Sequence, residues 1–492
     1  MGDFSALIIL DKTSSLPLYA QIVKGFTQKI HSGHFRPGMK LPGARDLAMS
    51  LAIHRKTLQM ALDELLAQGW LEIIPRRGTF ITRDLPDLTR RQISRTERPA
   101  MAVETNFTIQ TKHVPFPPSD FQQTNDLLLS EGLPDIRLAP MKQLLREIRS
   151  LEKRGPFKKY FQYGDPQGTQ YLRDTLAEHL NETRNLSITK DHIMITKGAQ
   201  MGLYLAARLL LKPGDHVIVG DPGYVTANLT LQREGAVLHR VRVDDQGLSL
   251  DHVEMVCKRK KIRLVYVIPH HHHPTTVTLT PERRIRLLNL AQRYRFAIVE
   301  DDYDYDYHYS SNPMHPMASL DSNGSVIYVG TLSKTLVPAV RVGFLVAPAN
   351  FISEAVNLRR TIDFQGDSMM EVAIAELYRN GVMASHIRKV VKTYHARRDY
   401  FCNLLKTKLS NYVSFDVPDG GLCVWSKFRD IDLVRLASHV AKMGLRMNDG
   451  SIYNTSFSSN ATRLGFSALT PLEQDKATDI ILRGIKQLNS LR

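Results

Sequence analysis

Lys334 ends an apolar run within SVIYVGTLSKTLVPAVRVGFLVAP, residues 325–348, with Ser333 just before it and Arg341 a short loop later. A lysine amine so placed can form an imine with an aldehyde. A nearby cation can hold a phosphate carried by the same molecule. Upstream, the run RFAIVEDDY closes on Glu300, Asp301, Asp302 and Tyr303. A carboxylate there can pair with a protonated pyridine nitrogen, which makes a pyridine aldehyde an electron sink. Successive strand residues face opposite sides, so only one of Asp301 and Asp302 can do this, and the spacing to Tyr303 favours Asp301. Alone, each residue reads as a surface lysine, a loop aspartate or an ion-pairing arginine. In this order and at these spacings they read as a site for pyridoxal 5'-phosphate.

Other segments could join that site. ITKGAQMGLYLAARLLL sets Gly198, Ala199 and Gln200 between a strand and a helix start, where unpaired N–H groups and the helix dipole favour a phosphate. GDHVIVGDPGYVTA offers Tyr224 after a strand and a Pro-Gly turn, suited to stacking on a planar ring. RLVYVIPHHHHPTT ends a buried strand in His270 to His273. Neighbours on an extended chain point apart, and no spaced carboxylate or cysteine accompanies the four histidines. No metal is assigned to them, and the loop reads as pocket lining at a strand's carboxyl end.

The 492 residues exceed what one hydrophobic core organises, and 43% hydrophobic residues suffice for several domains. Cys257, Cys402 and Cys423 lie far apart with no CxxC pair, which suits a reducing cytoplasm. The opening MGDFSALIILDKTSS lacks a cationic region before its short apolar run, so a cleaved secretion signal is not expected. No run approaches the roughly 20 apolar residues that span a bilayer. The formal charge of +16 raises nucleic acid as a partner. Positive charge is denser at the front, where residues 1–83 hold 11 Lys/Arg against 6 Asp/Glu.

At that front, Leu18, Ile22, Phe26 and Ile30 recur every four positions before Gly33, predicting a first amphipathic helix. Turn chemistry in FRPGMKLPG precedes a short helix, Ala44–Leu51, presenting Arg45. After Ala52 to His54, the segment Arg55–Gln68 has an apolar face of Leu58, Leu62, Leu65 and Leu66, and a polar start of Arg55, Lys56, Thr57 and Gln59. Two helices joined this tightly read as a helix-turn-helix. The runs WLEII and TFIT around Pro75, Arg76, Arg77 and Gly78 then read as a hairpin wing.

Residues 16–82 resemble the GntR-type winged helix-turn-helix, with Gly43/Ala44 and His54 where that family usually has serines before its second and third helices. The resemblance implies DNA contact through Arg45, His54, Arg55, Lys56, Thr57, Gln59, Arg76, Arg77 and Gly78. We place this domain at residues 12–83 and an extended linker with Arg90, Arg91, Arg95 and Arg98 at 84–118. An α/β domain with a mostly parallel sheet follows at 119–492, its large part about 160–350 and its small part the C-terminal 140 residues.

GLPD at 132–135, YGDPQG at 163–168, DPGY at 221–224, EDDYD at 300–304 and GTLSK…RVG make this second domain similar to fold-type I aminotransferases. Its union with the front module resembles the MocR subfamily of GntR regulators. The resemblance implies that Lys334 carries the cofactor, Asp301 pairs with its ring nitrogen and Tyr303 contacts its phenolic oxygen. Tyr224 would stack on the ring, while Ala199, Gln200, Ser333 and Arg341 hold the phosphate. Tyr163 matches a residue reaching the phosphate of a neighbouring subunit, implying a homodimer. Arg463, in NATRLGF, matches an arginine that grips an effector carboxylate. Where the family reads SHQ, an aromatic and PTG, this chain has HHHHPTT, and His273 falls beside the cofactor oxygen. The implied function is regulation of an operator by pyridoxal phosphate or an amino compound; the alternative is a working aminotransferase with an accessory DNA-binding domain.

Overall fold

A computed structural model describes residues 7–85, 102–109, 126–129, 131–153, 157–309, 314–453 and 460–490. The linker arginines Arg90, Arg91, Arg95 and Arg98 lie outside the described residues. The chain divides into two compact units, Met1–Gln110 and Thr111–Arg492.

The front unit contains helices α1 (Leu18–His31), α2 (Ala44–Ser50) and α3 (Arg55–Ala67), then an antiparallel hairpin of β1 (Leu71–Ile74) and β2 (Gly78–Ile81). Ile22, Phe26 and Ile30 of α1 share a core with Leu58, Ala61, Leu62 and Leu65 of α3. Each of these Ile, Phe and Leu side chains contributes about 1.5–3 kcal/mol on burial. Gly33, at φ +73°, closes α1 without the steric cost of a side chain. Helix α2 begins after Gly43 with no side-chain cap. At α3, His54 Nδ1 accepts the Lys56 N–H at 3.2 Å, so an imidazole fills a capping role usually taken by a hydroxyl or carboxylate oxygen.

The second unit is built on an eight-stranded sheet. After β3 (Leu127–Leu129), its strands are β4 (Ile193–Thr196), β5 (His216–Asp221), β6 (Val237–Asp244), β7 (Gly247–Leu248), β8 (Ile262–Val267), β9 (Ala297–Asp302), β10 (Val326–Thr331) and β11 (Gly343–Val346). Their spatial order is β4-β11-β10-β9-β8-β5-β6-β7. Strands β10, β9, β8, β5 and β6 run parallel, β11 is antiparallel to both β10 and β4, and β7 is antiparallel to β6. Strand β4 therefore runs with the parallel set. The carboxyl ends of β4, β5, β8, β9 and β10 converge on one edge, where open α/β sheets bind ligands.

Both faces of the sheet are covered, so strands β4, β5, β8, β9, β10 and β11 are buried nearly throughout. Val299 packs with Val219, Leu264 and Val329 on one face, while Ile298 packs with Ile218 and Val265 on the other. This alternation carries Asp301 to the first face and Asp302 to the second.

The last third of the unit holds β12 (Val413–Ser414), β13 (Cys423–Phe428), β14 (Leu445–Met447) and β15 (Ala461–Gly465), with β12, β13 and β15 in an antiparallel sheet. Strand β3 pairs in parallel with β14, Leu127 opposite Leu445. This long-range pairing ties the beginning of the unit to its end and brings the turn after β3 to the site edge.

Candidate functional site

At the end of β4 the chain turns through Gly198, at φ +78°, into the helix Ala199–Leu210, which has no side-chain cap. A Cβ on Gly198 would lie 2.7 Å from Arg341 Nη2, so only glycine permits this approach. Gly343 is equally constrained, since its Cβ would stand 2.7 Å from the carbonyl carbon of Gly198. Arg341, at φ +52°, donates through Nη2 to the Lys197 carbonyl at 3.2 Å and through Nη1 to Ser333 Oγ at 3.4 Å. Gln200 turns its amide to Thr230 Oγ1 at 2.6 Å, which leaves its main chain as its contribution to the helix start. Ala199, Gln200, Ser333 and Arg341 thus meet around one uncapped helix N-terminus, an arrangement that favours an anion.

Lys334 follows β10, and its Nζ donates to the Gly132 carbonyl at 2.8 Å. Burial, aided by the nearby Arg463 cation, pushes its amine down to about 8. The Tyr307 hydroxyl fixes the loop by donating to the Lys334 carbonyl at 2.6 Å. Across the site, Asp301 Oδ2 accepts from the Tyr266 hydroxyl at 2.7 Å, while its Oδ1 is shielded from solvent and has no partner. Burial raises this carboxyl to about 7. A buried oxygen without a donor is costly, and an arriving N–H would relieve it. Asp302 is engaged on the opposite face, where Oδ2 accepts from Tyr328 at 2.7 Å and Oδ1 lies 3.4 Å from His270 Nδ1. Glu300 accepts the main-chain N–H groups of Met317 and Ala318, a structural role.

The Tyr303 hydroxyl donates to the His271 carbonyl at 3.0 Å and accepts from Arg463 Nη2 at 3.2 Å. The four histidines are all buried, yet each has a different environment. His270 Nε2 faces the Met314 carbonyl at 2.7 Å, His271 Nδ1 faces Asp304 at 3.0 Å and His272 Nδ1 faces Thr275 Oγ1 at 2.9 Å. His273 alone joins the pocket aromatics, its ring centroid 4.9 Å from Tyr224 and 5.8 Å from Tyr453. Burial, then Arg463, pushes His272 down to about 3 and His273 well below the usual imidazole range. Among the described residues no group of His, Cys, Asp or Glu is arranged to hold a metal ion.

Arg463, on β15, is only 1% exposed. Its Nε donates to Cys423 Sγ at 2.9 Å, Nη2 reaches Tyr303, and Nη1 has no partner. No carboxylate pairs with it among the described residues. A guanidinium so buried and so incompletely used is suited to a bidentate carboxylate supplied by a ligand. Tyr163 is 85% exposed and packs against Phe364 at 5.0 Å, joining none of these contacts within one chain.

Glu131, Tyr266 and Tyr453 enter the site without a signal taken from the sequence, while Gly132, known only as part of GLPD, and Cys423, known only as a lone cysteine, gain their site contacts here. Tyr266 carried the clearest signal, because a tyrosine inside the apolar strand RLVYV must find a partner for its hydroxyl.

In the front unit, Arg45, His54, Arg55, Lys56, Gln59, Arg76, Arg77 and Gly78 are exposed and Thr57 is partly so. None of the five cations Arg45, Arg55, Lys56, Arg76 and Arg77 has an ion-pair partner among the described residues. The start of α3 carries no acidic residue in its first turn. Arg77 lies 6.0 Å from the Phe80 ring at the wing. An unneutralised basic helix start and a basic wing in one unit are suited to a phosphate backbone.

The description "Aminotransferase class I and II" matches residues 124–481, and "Bacterial regulatory proteins, gntR family" matches residues 18–81. The chain is 28% identical to the uncharacterized HTH-type transcriptional regulator YdfD of Bacillus subtilis, over 90% of this chain and 91% of that one. It is also 28% identical to the "Probable rhizopine catabolism regulatory protein MocR" of Rhizobium meliloti, over 86% and 84%. Among solved structures, the kynurenine aminotransferase of Pyrococcus horikoshii superposes with a TM-score of 0.69 at 28% identity, covering 74% of this chain and 91% of that one.

Proposed function

The chain belongs to the aminotransferase class I and II family, joined to a GntR-family front domain as in the MocR subfamily, and from that premise we propose a transcription regulator that reads an amino compound through pyridoxal phosphate. The site's own chemistry fits this cofactor. Asp301 has an idle buried oxygen for a ring N–H, Gly198 leaves room only for a close backbone approach beside Arg341, and Lys334 is depressed toward its neutral form. When bound, pyridoxal phosphate supplies an aldehyde to amines and an electron-withdrawing ring.

In this reading Ala199, Gln200, Ser333 and Arg341 hold the phosphate, Tyr224 and His273 flank the ring, and Tyr303 meets its oxygen. Tyr266 keeps Asp301 oriented. Lys334 would hold the cofactor's aldehyde through its amine, and Arg463 would orient an amino ligand by its carboxylate. Tyr163 reaches across a homodimer. Arg45, Arg55, Lys56, Arg76 and Arg77 hold phosphates of operator DNA, and Thr57 and Gln59 at the start of α3 face base edges. We place the protein in the cytoplasm; among the described residues no helix is long and apolar enough to cross a membrane.

The observation that carries the proposal is Arg463, a buried cation with an unfilled donor beside a poised lysine, in a chain that also presents an unneutralised basic helix. Ligand occupancy alters DNA binding only to the extent that two states of the protein bind the ligand with different affinity. The test is a titration of the loaded protein with amino compounds, following cofactor absorbance and binding to a DNA fragment from its own promoter region together. The two signals should share one midpoint. A spectral change with unaltered DNA affinity would contradict regulation. Repeated turnover with a 2-oxo acid would favour the alternative, an aminotransferase, which the complete set of site residues permits.

A further inference from the structure

Glu131 immediately precedes Gly132, whose carbonyl accepts from Lys334 Nζ and whose missing Cβ would stand 3.4 Å from Arg463 Nη2. Glu131 is thus the chain neighbour of a residue that touches both groups, and its carboxylate acts electrostatically on the Lys334 amine. The side chain is held in place. Asn448 donates its amide to Glu131 Oε1, and the orientation of that amide is fixed because Asn448 Oδ1 accepts the Gly450 N–H at 2.8 Å. Glu131 Oε2 lies 4.0 Å from His273 Nε2, and the side chain keeps 34% of its exposure. His273 does not neutralise it, since burial keeps that imidazole uncharged near neutral pH. Among the described residues no lysine or arginine forms an ion pair with Glu131.

The pocket thus holds an anchored carboxylate beside His273 and near enough to Lys334 to act on its charge, together with the unfilled guanidinium of Arg463. We propose that its ligand is a diamino monocarboxylic acid: the carboxylate goes to Arg463, one amine goes to the Lys334 position, and the second, as ammonium, goes to Glu131. This deepens the proposed function and rests on it. A neutral amino acid would leave the Glu131 charge without a counter-charge, its hydrogen bonds coming from the Asn448 amide and the Tyr453 hydroxyl, and a dicarboxylic one would set like charges together, so the pocket also selects by repulsion.

Three ligands with the same five-carbon chain test this: L-ornithine, L-norvaline and L-glutamate, titrated into the pyridoxal-phosphate-loaded protein by calorimetry and cofactor absorbance. L-Ornithine should bind at least about tenfold tighter than L-norvaline, with L-glutamate weakest. Glu131→Gln should bring L-ornithine to within about threefold of L-norvaline and narrow the gap between L-norvaline and L-glutamate. Equal binding of L-ornithine and L-norvaline by the native protein would overturn the inference, needing no variant, and would leave the sensing account intact. So would a Glu131→Gln change that weakens both ligands alike. If none of the three alters cofactor absorbance, ligand sensing at this site fails and this inference falls with it.

Discussion

The depressed Lys334 amine makes a quantitative claim about how the protein takes up its cofactor. Only the neutral amine attacks an aldehyde, and a lysine desolvated beside another cation is activated in this way. An ordinary lysine titrates near 10.4, so at pH 7.5 about one amine in 800 is neutral. With Lys334 pushed down to about 8, roughly a quarter is neutral at that pH. The gain is about 200-fold in reactive amine. Stopped-flow absorbance of cofactor-free protein mixed with pyridoxal phosphate, from pH 6 to 10, should give a rate that rises and levels with a midpoint of about 8. Arg463→Gln removes a neighbouring positive charge that disfavours the ammonium, so the midpoint should move upward. Burial is the larger cause, so it should stop short of the free-lysine value. A native midpoint near 10.4, or one that moves down in the variant, would mean that Lys334 is not depressed by burial and Arg463.

Arg463→Gln should also weaken amino-acid binding by at least about 30-fold, from about 2 kcal/mol for losing a buried charged contact, while the protein still retains pyridoxal phosphate on gel filtration. Gly198→Ala places a methyl 2.7 Å from Arg341 Nη2 at a φ of +78°, so pyridoxal phosphate affinity should fall by at least about tenfold by equilibrium dialysis. Thr276 holds φ +63°, which is strained for a β-branched residue. Thr276→Gly should raise stability in urea by about 1 kcal/mol, the released strain exceeding the entropy cost of glycine. Arg55→Ala should weaken binding of any duplex DNA and reduce the slope of log affinity against log salt by about one, measured by fluorescence anisotropy.

Local chemistry was the most legible part of this chain. The four-residue period of Leu18, Ile22, Phe26 and Ile30 located α1, and the apolar runs ending in Asp221, Asp302 and Thr331 located strands whose ends share one edge. Strand alternation separated Asp301 from Asp302, and the structure indeed sends them to opposite faces. What stayed hidden depended on contacts distant in sequence. Gly132 comes to Lys334 because β3 pairs with β14, and no local pattern announces a pairing between Leu127 and Leu445. The cysteine beside Arg463 became visible only when β13 and β15 were laid side by side, Trp425 opposite Arg463. Alternation also failed within the histidine run, where His271 adopts φ +41° and the chain ceases to be extended, so four adjacent side chains are all buried in separate niches. His54 was expected at the DNA surface in place of a serine, and its ring nitrogen is also the cap of α3.

In the proposed regulator a vitamin-derived aldehyde is held by one lysine. The direct measurement is borohydride reduction of the protein loaded with pyridoxal phosphate, followed by peptide mapping by mass spectrometry. One dominant pyridoxyl-modified peptide is expected, with the label on Lys334. A label spread over surface lysines, or a protein left unlabelled at Lys334, would contradict it.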